Sequence, residues 1–375
     1  MADNQQTAAL SSRGSTKCDG CGATLHFEPS TQTLTCEHCG KSSQIAGSDN
    51  HLTEGEDYDA FVGRIGTEQA APGFQSVKCI NCGSTSVLDS KETADKCSFC
   101  GSPLVLDLTA NANYVSPHYV LPFRVNQEAA RKQFMAWLKS LSFAPSDLTS
   151  KVSGSSSPVD GVYLPYFLYD ADATTSYTGE RGDYYYTTEY YYEEVDGEQV
   201  QRSREVRHTA WSPAFGTVFN DFTNIVTATS SSVNPDTLHA IGNFDLGMMV
   251  QYDEKYITGF RAETFTLNPQ QGLDEAKNAM GPAINQTIMA DIGGDEQRIF
   301  DSSTELSEVK IKYALLPIWI SSYQYENKTY QFAINGYTGT VAGKRPWSAW
   351  KIIRLILIIM AVIAMIVYFV NANNS

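Results

Sequence analysis

Eight cysteines form four C-x-x-C pairs, and they are the residues of this chain best suited to bind a metal. The pairs make two tetrads, each spaced C-x2-C-x14-C-x2-C, and a glycine follows every pair. A two-residue spacer lets both thiolates of a tight turn face one ion, and glycine supplies the positive φ that such a turn needs. The predicted ligands are Cys18, Cys21, Cys36, Cys39, Cys79, Cys82, Cys97 and Cys100.

The spacing predicts two structural Zn²⁺ ions. Zinc prefers tetrahedral thiolate sites, and four protein sulfurs leave no open position for water, so we expect a role in folding and none in catalysis. A disulfide framework is disfavoured because the polar N-terminus lacks the apolar core of a signal peptide. Thioredoxin-like and iron–sulfur motifs have other spacings. His26 and His38 are expected at the surface, because each tetrad is complete without them.

No motif for an enzyme is evident. Gly40, Lys41 and Ser42 resemble the end of a phosphate-binding loop, but Thr35 stands where its first glycine is required. H-E-x-x-H, G-x-S-x-G and G-x-G-x-x-G do not occur in the sequence. We therefore expect a protein that is not an enzyme, with no catalytic residues and no organic cofactor. A cleft in the region 109–344 is the remaining place for catalysis.

Short β-type runs separate the cysteine pairs and predict two zinc ribbons, at residues 16–42 and 75–108. A disordered tail is expected at 1–15. Residues 43–74 are rich in Gly, Ser, Asp and Glu and predict a flexible acidic linker, although DYDAFVGRI within it is compatible with a short docking helix.

The region 109–344 predicts an α+β domain with two related halves. PFRVNQEAARKQFMAWLKSL and TFTLNPQQGLDEAKNAM each read as a short strand, an asparagine N-cap (Asn126 or Asn268) and an amphipathic helix, and a Leu-Pro step and an aromatic strand follow each. The fold is thus a possible duplicated β-α-β-β unit. The second helix is expected to be interrupted at Gly281-Pro282. The expected apolar faces are Ala130, Phe134, Trp137, Leu138 and Leu141 in the first helix and Leu273, Ala276 and Met280 in the second.

Residues 184–208 predict a β-hairpin around Asp196-Gly197. Its tyrosines are expected to pack across the strands, in preference to forming a stacking platform for a ligand. The arginines of the second strand are expected to pair with the glutamates of the first, and His208 and Trp211 are expected to form a buried pair. The charged residues concerned are Arg202, Arg204, Arg207, Glu189, Glu193 and Glu194.

An uncharged apolar run ends the chain and predicts one transmembrane helix. The stretch 352–370 is about 28 Å long as a helix at 1.5 Å per residue, close to the thickness of a hydrocarbon core. Lys344, Arg345, Lys351 and Arg354 lie before it. The positive-inside rule therefore predicts a cell-membrane protein whose N-terminal bulk is cytoplasmic, with a helix and flanks at 345–371 and a short external tail at 372–375.

The formal net charge of −15 weighs against a general attraction to nucleic acid. Lysines near the predicted ribbons are few and are interspersed with acidic residues. Nucleic-acid binding is therefore the weaker of the two binding hypotheses.

Together these segments resemble the bacterial family of transcription-factor-IIB-type zinc-ribbon membrane proteins. The resemblance covers nearly the whole chain and is carried by the paired ribbons, the closing apolar span and four segments. These are VLPFRVNQEAARKQFMAWL, GVYLPYFLYDADATTSYTGERGDYYY, REVRHTAWSPAFGTVFNDF and YQFAINGYTGTVAGKRP. The resemblance implies a membrane anchor for SPFH (flotillin-like) proteins, which in turn engage phage-shock-type proteins in envelope stress. A helicase label found in the family does not transfer, since this chain lacks ATPase motifs.

The expectation is a tail-anchored membrane adaptor that offers its zinc ribbons and α+β domain to protein partners. The alternative is a membrane-tethered zinc-ribbon regulator that binds nucleic acid.

Overall fold

The structure is a computed structural model of the 375-residue chain. It describes residues 17–45, 55–65, 115–153, 159–195, 198–326 and 328–373, together with four short strands between residues 74 and 104.

The body is mostly β-sheet. The strands are β1 (Leu25–Glu28), β2 (Thr33–Cys36), β3 (Ser42–Gln44), β4 (Glu56–Asp57), β5 (Phe74–Lys78), β6 (Thr85–Asp89), β7 (Asp95–Lys96), β8 (Pro103–Leu104), β9 (Tyr119–Val120), β10 (Asp160–Val195), β11 (Glu198–Ala228), β12 (Val250–Gln251), β13 (Arg261–Ala262), β14 (Glu296–Tyr325), β15 (Lys328–Asn335) and β16 (Val341–Gly343). The helices are α1 (Tyr58–Ile65), α2 (Gln127–Ser140), α3 (Leu148–Ser153), α4 (Pro235–Ile241), α5 (Glu254–Ile257), α6 (Pro269–Ile292) and α7 (Ala349–Asn373), and Leu246–Met248 form a 3₁₀ turn.

Three very long antiparallel strands build the main sheet, in which the strand order is β11-β10-β14-β15-β16. β10 contains 36 residues and β14 contains 30. These two strands pair from Asp160 opposite Ile320 to Gly182 opposite Glu296, with register shifts near Asp170 and Thr178. Beyond Gly182, β10 continues with β11 alone to the tip at Val195 and Glu198.

The same order of elements occurs twice around the centre of this sheet. Each half contains a short strand, a helix and two further strands: β9-α2-β10-β11, with α3 inserted before β10, and β13-α6-β14-β15. Each short strand pairs in parallel with a long strand of the other half, β9 with β14 and β13 with β10. The Leu-Pro steps meet at the centre, where Leu164 lies opposite Leu316.

Both predicted helix N-caps are present. The side chain of Asn126 accepts a hydrogen bond from the Ala129 amide, and that of Asn268 accepts one from the Gln271 amide as part of a capping box. The predicted interruption of the second helix is wrong, because α6 continues through Pro282 to Ile292. Ile284, Ile288 and Ile292 prolong the buried stripe that Met280 belongs to, so packing on the sheet outweighs the missing amide of the proline.

The two faces of the main sheet have different environments. On the helix face, Ala171, Ala173, Thr175 and Tyr177 are buried, and α6 lies against it along β10 and β11. The opposite face carries Val162, Leu164, Tyr166 and Leu168 at its base, where α4 covers them with Leu238 and Ile241. Beyond Leu168 this cover ends. From Asp172 to Thr178 the side chains of the second face are exposed or half-exposed, and we call this surface the open face.

The predicted hairpin at 184–208 is present as the outer part of a longer ribbon. Arg202 pairs with Glu193 at 2.8 Å and Arg204 with Glu189 at 2.9 Å. Arg207 instead lies over the ring of Tyr184 at 4.2 Å. The expectation of a buried His208–Trp211 pair is wrong, because both are only half-buried and lie on opposite faces. His208 stacks on Tyr185, whereas Trp211 packs under Arg298.

The predicted flexible linker at 43–74 is wrong for residues 55–65, where the alternative of a short helix in DYDAFVGRI is confirmed. β4 pairs with β14 through Asp57 and Lys310, and α1 follows it directly. Phe61 of α1 is fully buried and packs edge-on against Phe167. Burial of one aromatic side chain contributes about 1.5–3 kcal/mol, which is enough to hold a short segment that is otherwise polar. The rest of 46–73 lies outside the described residues.

The last helix, α7, contains the apolar run. Its residues Ala349–Phe369 form a 21-residue stretch that is long and apolar enough to cross a bilayer, and its side chains are not buried within the protein. Three contacts join its start to the connection between α2 and α3. The Ser348 amide donates to Phe143 O (2.8 Å), Lys351 Nζ donates to Ala144 O (2.7 Å), and Trp347 stacks on Phe143.

Candidate metal centre and docking face

The first cysteine tetrad is assembled by a three-stranded sheet in the order β1-β2-β3. Cys18 and Cys21 precede β1, while Cys36 and Cys39 lie at the end of β2 and in the turn after it. β1 and β2 pair with Leu25 opposite Cys36, which brings the two turns to the same end of the sheet.

Both turns have the tight backbone that the glycines predicted. The Gly22 amide donates to Cys18 O at 2.8 Å, and the Gly40 amide donates to Cys36 O at 2.9 Å. Gly22 has φ +73° and Gly40 has φ +71°, a conformation that side chains with a Cβ rarely adopt.

The four sulfurs lie within 4.8 Å of one another. Cys18 Sγ is 3.5 Å from Cys39 Sγ, and Cys21 Sγ is 3.5 Å from Cys36 Sγ. A tetrahedral ion with Zn–S bonds of ~2.3 Å requires S···S distances of about 3.8 Å, which agrees with this arrangement. Four cysteines at these distances can therefore hold one metal ion such as zinc, and closed coordination suits a structural role.

The thiols of the tetrad differ in pKa: it is lowered for Cys18 and Cys36 and raised for Cys21. Hydrogen bonding from the Cys39 amide lowers the pKa of Cys36 to about 6, and the Gly20 amide lowers the pKa of Cys18. The Ala23 amide also lowers the pKa of Cys21, but the neighbouring sulfurs and burial outweigh it and raise that pKa to about 12. Without a cation, repulsion between negative charges disfavours deprotonation of all four adjacent thiols. A divalent cation stabilises four thiolates together.

The ribbon packs directly on the body. The ring of Phe27 contacts Tyr256 and Phe260. The backbone amide of Phe27 donates to Thr258 O at 3.1 Å. Gln32 Nε2 donates to Phe123 O at 2.7 Å. The side chain of His26 is half-buried and lies against Gly259, so the prediction that it is a surface residue is wrong. His38 is exposed as expected.

The second predicted tetrad, Cys79, Cys82, Cys97 and Cys100, lies outside the described residues. The flanking strands are described: β5 pairs with β6, and β7 pairs with β8, both antiparallel. A second ion therefore stays a prediction.

The open face of the sheet carries exposed aromatic residues that the sequence did not single out. Phe215 and Phe219 of β11 are 80% and 71% exposed, and we call them the aromatic pair. They lie opposite Thr178 and Thr174 of β10. Both follow the predicted hairpin at 184–208. Whether a strand face is covered depends on distant elements, and no local signal reveals it.

Four exposed carboxylates frame the aromatic pair. Asp172 and Asp221 face each other across β10 and β11 on the same side of the sheet. On β14, Asp301 lies opposite Thr178, and Glu305 lies opposite Thr174. An apolar centre with an acidic rim is the composition of a docking surface for a protein with the complementary charge.

Comparisons with known proteins give one curated relative to report. The chain is 25% identical over 345 residues to the protein named "Uncharacterized protein YdjG" of Bacillus subtilis (strain 168), and the match covers 90% of this chain and 91% of that protein. No family model matches the chain, and no solved structure matches it.

Proposed function

We propose that this protein is a membrane-anchored adaptor without enzymatic activity, which binds a protein partner on the open face of its long sheet. The observation that carries the proposal is the aromatic pair within its frame of four carboxylates. Monomeric soluble proteins rarely expose large contiguous apolar patches, and such patches mark interaction sites.

In this proposal α7 spans the membrane once, with the body on the cytoplasmic side and the C-terminus outside. The length and hydropathy of Ala349–Phe369 support it, as do the cations before the span. Contacts from Ser348 and Lys351 to the loop after α2 would hold the body close to the bilayer. The first zinc ribbon packs on the body and holds a structural ion, and a second ribbon would hold another.

The partner we propose presents an apolar patch edged by Lys or Arg, to match Phe215, Phe219 and the surrounding carboxylates. An SPFH (flotillin-like) protein or a phage-shock-type protein is the candidate implied by the family resemblance. Nucleic acid is a poorer fit, because phosphates would meet Asp172, Asp221, Asp301 and Glu305 on this face.

A cross-linked affinity capture of the full chain from membranes tests the proposal. The double substitution Phe215→Ser with Phe219→Ser should lose a protein partner that the wild type recovers, because the apolar centre of the interface is removed. Met289→Ser is the matched control: Met289 is also an exposed apolar residue, 45% exposed, but it lies on α6 on the other side of the sheet. Recovery of nucleic acid with no protein partner would overturn the adaptor and favour the regulator.

A further inference from the structure

A cavity of about 680 Å³ lies on the second face of the main sheet, where the cover by α4 ends. Tyr166, Val226 and Ala228 form its floor, while Leu238 of α4 and Phe244 form the opposite wall. Small-molecule sites usually have volumes of roughly 300–1,000 Å³ and mainly apolar linings, so both the size and the lining of this cavity suit a ligand.

The buried hydroxyl of Tyr166 is a polar group without a partner in the described part of the chain. The side chain is 4% exposed, and its ring packs edge-on against Phe244 at 5.9 Å. An unsatisfied buried hydroxyl destabilises the fold, whereas phenylalanine would fill the same space without that penalty. Burial raises the pKa of Tyr166, so the hydroxyl is neutral and can both donate and accept.

Two other tyrosines of the same strand face the other way and have partners. Tyr163 Oη donates to Tyr256 O at 3.1 Å, and Tyr169 Oη donates to Pro269 O at 2.8 Å. Of these three tyrosines, only Tyr166, which lines the cavity, has a hydroxyl without a partner among the described residues. The lining threonines are also satisfied, since Thr229 Oγ1 donates to Pro165 O and Thr266 Oγ1 donates to Thr229 O.

The charge of the lining indicates a neutral ligand. Among the described residues that line the cavity there is no Lys or Arg, and the ionisable groups besides Tyr166 are His239 and Glu275, both exposed. An anionic ligand would find no Lys or Arg in the described wall and would be repelled by Glu275.

We propose that this cavity binds a neutral aliphatic molecule that carries one hydroxyl or carbonyl oxygen, with the chemistry of a fatty alcohol or a monoacylglycerol. The aliphatic part of the ligand packs against Val226, Leu238 and Phe244. The ligand's oxygen forms a hydrogen bond with the Tyr166 hydroxyl. This inference is independent of the adaptor role, because the cavity and the aromatic pair are different surfaces.

Photolabelling of the full chain in phosphatidylcholine nanodiscs tests the proposal. The probe is octanol carrying an aliphatic diazirine, and mass spectrometry locates the label after irradiation. We expect label on peptides that contain Leu238, Phe244 or Leu267, with competition by 1-octanol or monooctanoylglycerol and none by octanoate. Competition by only one of the two neutral competitors identifies the source of the ligand chemistry, a free alcohol or a glyceride.

Two tyrosine variants give the matched comparison. Tyr166→Phe should lower cavity labelling by roughly three- to tenfold at sub-saturating probe, as expected for one hydrogen bond. Tyr169→Phe removes a hydroxyl from the other face and should leave cavity labelling unchanged. Ala228→Phe fills the cavity and should abolish labelling; if this variant does not fold, the Tyr166→Phe comparison decides alone.

Three results would each overturn the proposal. Label confined to α7 would show only partition of the probe into the bilayer. Equal labelling of wild type and Tyr166→Phe would show that the hydroxyl takes no part. Competition by octanoate as strong as that by octanol would contradict a neutral ligand.

Discussion

At the scale of single residues, the candidate metal ligands lie close to the ribbon's contact with the body. Cys36 ends β2, and Phe27 lies on the neighbouring strand β1 with its ring between Tyr256 and Phe260. A unit as short as this ribbon has too little core to fold without its metal. Loss of a bound ion should therefore lower the local stability of the body as well as that of the ribbon.

Replacement of Cys36 by Ser should lower the zinc content of the purified chain by about one equivalent, because one thiolate of a four-ligand site is removed. Amide hydrogen exchange should also become faster around Tyr256 and Phe260. His38→Ala is the control, since His38 is exposed in the same turn and should leave both measurements unchanged. Equal zinc content in Cys36→Ser and wild type would contradict the assignment of the ligand.

A second residue-scale feature is the buried ion pair between Lys312 and Asp170. Lys312 Nζ lies 2.5 Å from Asp170 Oδ2 and donates to Asn224 Oδ1 at 2.9 Å. The side chains are 4% and 18% exposed, so neither charge is well solvated. This pair lies where the apolar base of the second face gives way to the open face.

Lys312→Met should destabilise the chain by about 3–5 kcal/mol, because it leaves the Asp170 carboxylate buried without its partner. The double variant Lys312→Met with Asp170→Leu should recover most of that loss, since no unpaired charge remains. Chemical denaturation followed by tyrosine and tryptophan fluorescence measures both changes. A double variant as unstable as the single one would show that the pair has another structural role.

At the scale of elements, the sequence predicted what depends on local chemistry. The asparagine caps, the first buried helix stripe and the hairpin all follow from residues close together in the chain. The positive φ of Gly22 and Gly40 follows in the same way. Features that depend on distant partners were harder to predict. The sequence left α1 only as an alternative to a linker, because its burial comes from distant rings such as Phe167 and His118. The passage of α6 through Pro282 was missed, because the sheet supplies a long surface for the isoleucines of this helix.

A substitution that removes the proline inside α6 should strengthen the helix. Pro282→Ala should stabilise the chain by about 1–3 kcal/mol, because it restores an amide donor within the helix and removes a steric clash. Gly281→Ala is the neighbouring control: a Cβ there meets no atom within 4 Å, and the expected gain is about 0.5–1 kcal/mol. The denaturant midpoints of the full-length variants measure both changes in stability. A loss of stability in Pro282→Ala would show that the helix needs a kink at this point.

At the scale of the whole molecule, the sheet links two very different ends. At one end the start of α7 contacts Phe143 and Ala144, and Tyr325 at the end of β14 donates a hydrogen bond to Asp147 in the same loop region. At the other end the ribbon of β10 and β11 extends past α6 with both faces uncovered in the described structure. At ~3.3 Å per residue, the 36 residues of β10 span at most about 115 Å. The open face thus lies between an apolar helix and a free tip.

Shortening the ribbon tests this architecture. Residues 185–192 and 201–208 can be deleted together, because Tyr185 pairs with His208 and Tyr192 with Gln201. The cut joins Tyr184 to Glu193 and Val200 to Thr209, and an even number of residues on each strand keeps every remaining side chain on its own face. The ion pairs lost, including Arg204–Glu189, are exposed and contribute roughly 0–1 kcal/mol each.

We therefore expect the maximum dimension of the protein to fall by roughly 26 Å, with the stability of the body nearly unchanged. Neutron scattering of the full chain in contrast-matched nanodiscs measures the dimension, and denaturation measures the stability. A control that deletes only 185–192 shifts the register of β10 against β11 and should misfold the ribbon. An unchanged dimension would mean that the ribbon folds back on the body, and collapse of the body would mean that the tip belongs to its core.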